Sequence, residues 1–195
     1  EAGIAGMGGA TFPTHVKLSP PDDKPVDILI INGVECEPFL TSDHRLMLEH
    51  PDELIQGIRF IQRVLGVEKV IIGIEKNKPD AISLLKEKTS SLSGFSILPL
   101  AVKYPQGAEK QLIFASTGRA VPAGGLPMDI GAVVQNVGTA VAVYDAVTFG
   151  KPLIERIVTV TGPGVREPQN VRARIGTSFR DLIEFCGGYD GAAAK

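Results

Sequence analysis

The sequence is poor in the groups that most readily declare a chemistry. Its 195 residues hold two cysteines, Cys36 and Cys186, far apart and in no Cys-x-x-Cys pair. Two isolated thiols make neither a disulfide framework nor a zinc site. They also fall short of the four thiolates that an iron–sulfur cluster ordinarily takes. Such sparing use fits a reducing compartment. His15, His44 and His50 show no metal-ligand spacing, and no Ser/His/Asp or Cys/His arrangement is visible. No metal ligand and no catalytic side chain is therefore assigned. The formal net charge of -2 gives no electrostatic case for nucleic acid. No apolar run reaches the roughly 18 residues of a membrane span. The longest candidate, residues 131–149, is interrupted by Gln135, Asn136 and Asp145. No secretory leader is recognisable, and the start at Glu1 without an initiator methionine is what part of a longer protein would show.

What is present is ordinary in bulk and pointed in detail. The hydrophobic fraction is 44% and the charged fraction 22%, as in soluble globular chains. The length suits one full domain, or one domain plus a fragment of a second. The 22 glycines and 14 prolines gather in residues 3–25, 118–131 and 162–168. Clusters placed between apolar runs mark shaped loops rather than a linker.

Residues 26–32 and 70–74 read as strands buried on both faces. Between them Leu54, Ile58, Ile61 and Leu65 recur at helical spacing, with Pro51 at the first turn and Gly66 past the end. A helix from Pro79 to about Leu92 follows, then a strand over 95–102 whose Pro99 favours a sheet edge or a bulge. Residues 109–117 are read as a helix, 118–130 as a loop, 132–134 as a short strand and 137–148 as a helix. Alternating strands and helices predict an α/β domain with a mostly parallel sheet, a Rossmann-like layered arrangement. In such sheets ligands lie beyond the carboxyl ends of the strands. After Lys151 the texture changes: strands near 157–161 and 170–175, a turn at 162–164, and a helix over 179–185. That order is the first half of a β-grasp, a partial unit here. The expected domains are 1–152 and 153–195.

Four segments carry candidate chemistry. In the first, Gly6, Gly8 and Gly9 let backbone N–H groups approach a ligand. A helix starting near Ala10 would add its N-terminus. Thr11 stands where a Rossmann fingerprint needs its third glycine, and no Gly-Lys-Ser/Thr follows. Phe12 and Lys17 beside the loop suit a flat, anionic ligand. The second segment, Asn32-Gly-Val-Glu35-Cys-Glu37-Pro, sets two carboxylates at a strand end, able to accept from sugar hydroxyls or to tune a redox ring. They could equally be surface acids. Cys36 between them is read as structural, because flanking carboxylates oppose a thiolate. In the third, Tyr104 could lie against a ring, Gly107 allows close approach and Glu109 could face a ligand. A plain strand-to-helix turn serves as well. In the fourth, Gln135, Asn136 and Thr139 precede or open a helix, where they can cap it or bind phosphate.

Taken in order, Gly-x-Gly-Gly-x-x-Phe-Pro-Thr, Asn-Gly-x-Glu-Cys-Glu-Pro, Lys-Tyr-Pro-Gln-Gly-x-Glu-Lys-Gln and Val-Gln-Asn-Val-Gly-Thr resemble the C-subunit family of the Rnf electron-transport complex. More distantly they resemble the NADH-binding flavoprotein subunit of respiratory complex I and the cobalamin reductase of propanediol metabolism. The match runs from about Gly3 to Gly188.

The resemblance implies an FMN-binding α/β domain of the complex I type followed by a soluble-ligand-binding β-grasp. It implies an NADH-linked oxidoreductase that moves electrons between NAD(H) and iron–sulfur or ferredoxin carriers through FMN. Gly6, Gly8 and Gly9 would line the FMN phosphate and ring edge. Ala10, Phe12 and Lys17 would adjoin the nicotinamide nucleotide. Asn32 and Glu35 would meet FMN, and Glu37 the dinucleotide. Tyr104, Gly107 and Glu109 would border the flavin and steer the nicotinamide, while Gln135, Asn136 and Thr139 would hold the phosphate. The resemblance also implies 4Fe-4S clusters in a ferredoxin-like domain outside this chain. Partner subunits would form an ion-translocating membrane complex, and the chain would sit peripherally on the cytoplasmic face of the membrane. The complex I subunit has Arg, Asp and Glu where Met7, Val34 and Ala108 stand. Those uncharged positions keep a non-catalytic scaffold as an alternative beside a cobalamin reductase-like flavoprotein.

Overall fold

A computed structural model describes residues 2–191; the outermost ends of both expected domains, Glu1 and residues 192–195, lie outside the described residues. Four parallel strands form the main sheet: β1 (Ile28–Gly33), β2 (Lys69–Glu75), β3 (Phe95–Leu100) and β4 (Ala132–Asn136), in the order β3-β2-β1-β4. The α-helices among the described residues are α1 (Thr14–Lys17), α2 (Ser42–Glu49), α3 (Pro51–Leu65), α4 (Pro79–Thr89), α5 (Glu109–Thr117), α6 (Val137–Phe149) and α7 (Phe179–Phe185). The expected α/β architecture is present.

Successive strand side chains point to opposite faces, and here both faces are dry. Leu29 and Ile31 enter a large core with Leu54, Ile58 and Ile61 of α3 and Ala140 of α6, while Ile28 and Ile30 pack with Leu112 and Ile113 of α5. The layers are therefore unequal, with α2, α3, α4 and α6 on one face and α5 on the other. Each fully buried aliphatic side chain contributes about 1.5–3 kcal/mol, so the larger face carries most of the stability. Gly57 brings α3 against α6; a Cβ there would lie 1.9 Å from the carbonyl oxygen of Ala140. Gly66 ends α3 in the left-handed conformation, at φ 66°, which glycine adopts without a Cβ clash.

Pro99 lies on β3, an edge strand paired only with β2. Its missing N–H costs no ladder bond there, as the sequence predicted. The helix expected to reach Leu92 ends at Thr89 and continues as a turn, with Leu92 N–H donating to the Thr89 carbonyl at 2.9 Å. The loop expected over 118–130 contains one 3₁₀ turn, Pro127–Ile130.

β5 (Glu155–Val160) and β6 (Gln169–Arg174) form an antiparallel hairpin, closed by α7 over Val171, Ala173, Leu182 and the fully buried Cys186. The hairpin is tied to the head of α2. Asn170 Nδ2 donates to Thr41 Oγ1 at 3.0 Å, and Thr159 Oγ1 donates to Asn170 Oδ1 at 2.7 Å.

Candidate functional site

The strand order creates a crevice where the connections diverge, since β1 leads to β2 on one side and β4 lies on the other. Ligands bind at such a switch point, beyond the carboxyl ends of the strands. Asn32 and Asn136 stand there as register partners at the ends of β1 and β4.

Both asparagines are bonded within the fold. Asn32 Nδ2 donates to the carbonyl of Gly107 at 2.9 Å, and its Oδ1 accepts from Val34 N–H at 3.0 Å. This holds the turn before α5 against the turn after β1. Gly107 is forced by that closeness, for a Cβ would sit 2.7 Å from the Val34 carbonyl oxygen. Cys36 Sγ accepts from the Gly107 N–H at 3.4 Å, consistent with a structural thiol. Asn136 Oδ1 caps α6 by accepting from Gly138 N–H at 2.7 Å, and its Nδ2 donates to Asp43 Oδ2 at 2.7 Å.

The glycine segment is a closed loop. Gly6 N–H donates to the Phe12 carbonyl at 2.8 Å, Ala5 bridges Pro13, and Thr14 N–H donates to the Ile4 carbonyl at 3.0 Å. A helix starting near Ala10 does not occur. Pro13 precedes α1, which begins at Thr14 and spans four residues; Gly8 at φ 74° and Thr11 at φ 54° hold the loop in left-handed turns instead. The loop docks on α6, with Met7 N–H donating to Thr139 Oγ1 at 2.9 Å. Gly8 packs so near Asn136 that a Cβ would come within 3.2 Å of its Nδ2, whereas nothing lies within 4 Å of a Cβ on Gly9. One side of the loop is packed and the other is open.

Lys17 Nζ donates to Glu109 Oε1 at 2.6 Å and to the Val134 carbonyl at 3.1 Å. Phe12 and Tyr104 remain 49% and 68% exposed, leaving two aromatic surfaces uncovered. Ala10 and Glu37 are exposed as well. Gln135 is 2% exposed, and its Nε2 has no hydrogen-bond partner; Thr14 Oγ1 is likewise buried and unpartnered. A buried donor without an acceptor costs about 1–3 kcal/mol, so Gln135 carries a donor that a bound acceptor would satisfy.

Glu35 is buried, and its carboxylate serves the fold. It accepts from Ser42 Oγ–H at 3.2 Å and from the N–H groups of Asp43 at 2.9 Å and His44 at 3.3 Å. It therefore caps α2, whose own Thr41 makes no side-chain cap. The structure thus brings Asn32, Gly107 and Asn136 into one hydrogen-bonded set, with Gly8 packed on Asn136, Met7 bonded to Thr139, and Lys17 and Glu109 paired with each other. Glu35 reaches the set through α2, while Glu37 is outside it.

Asp43 was not singled out in the sequence. Its accessible area is intermediate, yet the carboxyl is densely surrounded. Burial pushes it up to about 6, with the nearby Glu35 adding to the rise, while the Asn136 bond, Arg156 and Lys78 oppose it. The one available signal was a Ser-Asp pair ahead of Leu46 and Met47, a helix-start pattern.

A cleft of about 870 Å³ lies beside this crevice between α2, α6 and the hairpin. Met7, Asp43 and Gly138 line it where the two adjoin; Arg156 and Asn170 line its hairpin side.

Comparison with known proteins bears on the family and the fold. A family model described as the Nuo51 FMN-binding domain matches residues 1–145, and an SLBB domain model matches residues 157–195. The chain is 57% identical over 189 residues to the C-subunit of a proton-translocating ferredoxin:NAD(+) oxidoreductase complex from Clostridium ljungdahlii, covering 97% of this chain and 41% of that protein. It is 49% identical over 195 residues to the C-subunit of the Na(+)-translocating complex from Acetobacterium woodii, covering 100% of this chain and 44% of that protein. The chain thus spans less than half the length of these curated relatives. Among solved structures, an NAD+-reducing NiFe hydrogenase in its H2-reduced state superposes with TM-score 0.81 at 26% identity, covering 93% of this chain and 37% of that one.

Proposed function

This chain belongs to the Nuo51 FMN-binding domain family, and from that premise we propose that it binds FMN at the carboxyl ends of β1 and β4 as the flavin module of an NADH-linked oxidoreductase. The observations that carry the reading are the packing of Gly8 on Asn136 and the Met7 N–H bond to Thr139, together with the buried, unpartnered Gln135 amide one residue before Asn136. The residues fit the group. Gln135, Asn136, Thr139 and the backbone of Gly6, Gly8 and Gly9 would hold the phosphate. Asn32 and Gly107 would border the ring, with Glu35 supporting them through the cap of α2. Ala10, Phe12, Lys17, Glu37, Tyr104 and Glu109 would receive the nicotinamide nucleotide, with Phe12 and Tyr104 offering aromatic faces.

FMN when bound would accept a hydride equivalent from NADH and release electrons singly to iron–sulfur carriers. The protein's part is to position the two nucleotides and to present Lys17 and Glu109 beside them. By the names of its relatives, the whole protein would be the C-subunit of an Rnf-type ion-translocating ferredoxin:NAD(+) oxidoreductase complex. Its 4Fe-4S clusters would lie in segments outside this chain. Among the described residues no helix is long and apolar enough to cross a membrane; in this reading the chain is attached at the cytoplasmic face through partner subunits. The division into a flavin unit, 1–152, and a β-grasp unit, 153–195, belongs to the same reading.

The test is direct. Flavin-free protein is mixed with FMN, and the flavin absorbance is followed as NADH is added without oxygen. Uptake and bleaching are expected; no uptake at high FMN would leave the scaffold reading.

A further inference from the structure

We propose that Asp43 is a positioning residue that takes up one proton from water when the FMN phosphate docks at Asn136, and gives it back when the flavin leaves. The inference rests on the flavin reading above.

The geometry comes first. Asn136 is the hub of the phosphate region: one amide atom caps α6, the other donates to Asp43 Oδ2 at 2.7 Å, and Gly8 packs against the same nitrogen. Asp43 thereby sets which way the amide points. Asp43 also lines the adjoining cleft of about 870 Å³, which gives its carboxyl a path to water.

The charges around Asp43 come from three directions. Glu35, on the loop after β1, is a like charge sharing the head of α2; Lys78, after β2, is held at 2.7 Å by Glu75; Arg156 approaches from β5. On its own helix, His44 is turned to Asp80 at 2.9 Å. On α6, Asp145 lines the far part of the cleft with Lys151.

A phosphate at Asn136 would add a further like charge to a carboxyl that burial already holds near the neutral range. Like charges in close proximity raise a carboxyl's affinity for protons. An asparagine at position 43 would accept the same hydrogen bond without burying a charge. The acid therefore has a use that the fold alone does not require. Proton uptake removes the repulsion while the carbonyl oxygen of the neutral acid still accepts from Asn136. No electron moves, and the proton balance closes on solvent.

The direction with pH follows. Neutral Asp43 favours the phosphate, so FMN affinity falls as pH rises through and above about 6. The flavin's own phosphate acts oppositely, because it would lose rather than gain a proton on binding.

The experiment is calorimetric titration of the full flavin-free chain with FMN in two non-phosphate buffers of different ionisation enthalpy, across pH 5 to 8. Asp43→Asn and wild type are compared, and riboflavin, which lacks the phosphate, is the second probe. Wild type should take up a fraction of a proton per FMN at pH 7 and none attributable to Asp43 with riboflavin. Asp43→Asn should lose the uptake and bind FMN several-fold more tightly at pH 7.5, with the two proteins converging at pH 5. Should Asp43→Asn not fold, the contrast between FMN and riboflavin in wild type decides at pH 7.5 and above, where the phosphate, with a second pKa of about 6, has little proton left to release. Equal uptake with both probes, or parallel pH profiles of the two proteins, overturns the role of Asp43 and leaves the flavin reading standing. Absence of flavin binding to wild type overturns both.

Discussion

Lys17 Nζ and Glu109 Oε1 lie 2.6 Å apart, joining the glycine-loop segment to the head of α5 across 92 positions of sequence. The pair is partly open to solvent, so as a stabilising contact it contributes little, about 0–1 kcal/mol. Under the proposed function its weight lies toward the nicotinamide instead.

Glu109→Gln should keep the shape of that region and remove its charge. The expected result is about a tenfold slower anaerobic flavin reduction by NADH, equivalent to about 1.4 kcal/mol, with FMN affinity less affected. Rapid-mixing absorbance gives the first quantity and flavin fluorescence titration the second. Equal losses in both would contradict a role toward the nicotinamide.

Asp43 also predicts a pH dependence of stability. Its folded carboxyl is raised from 3.8 to about 6, so the folded state binds its proton more tightly than the unfolded state does. Stability from this group is greatest below the unfolded value, is lost as pH rises between the two values, and stays lost above them. Asp43→Asn should therefore be more stable than wild type at pH 7 by up to about 3 kcal/mol. The difference should vanish near pH 4. Urea unfolding of both proteins at pH 4, 6 and 7 measures it.

Gly57→Ala should be severely destabilising. The added methyl would meet the Ala140 carbonyl oxygen at 1.9 Å, and neither α3 nor α6 can yield without opening the larger core. A loss beyond the about 1–3 kcal/mol typical of overpacking is expected. Thermal unfolding checks it, and a melting temperature near wild type would mean that the two helices slide apart freely.

Gly8→Ala separates site from core. The left-handed φ of 74° and the 3.2 Å approach to Asn136 Nδ2 both oppose a side chain there, at a cost of about 1–2 kcal/mol for the backbone alone. The loop lies at the surface, so the change should weaken FMN binding more than it lowers the melting temperature. Fluorescence titration and calorimetric melting of one preparation distinguish the two effects.

Much of this architecture was legible in the sequence because its signals are local. The apolar spacing of Leu54, Ile58 and Ile61, closed by Pro51 and Gly66, is a complete instruction for α3. Pro99 announced an edge because a missing N–H is tolerated there. The four ordered motifs pointed to one family and one crevice. α2 was illegible for the opposite reason. Its eight residues, Ser42–Glu49, hold their apolar side chains in one run, Leu46-Met47-Leu48, and its N-terminus is capped by Glu35 from outside the helix.

The sequence by itself determined the strands, the long amphipathic helices and the family, since periodicity, breakers and motif order act between near neighbours. Only the tertiary structure decided what the polar residues do. It made Glu35 the cap of α2 and closed the glycine segment into a loop held by Thr139. It also placed Asp43 against Asn136, 93 positions away. Hydrogen bonds and buried charges are set by which groups the folded chain brings within about 3 Å, and that proximity is not written in any local stretch of residues.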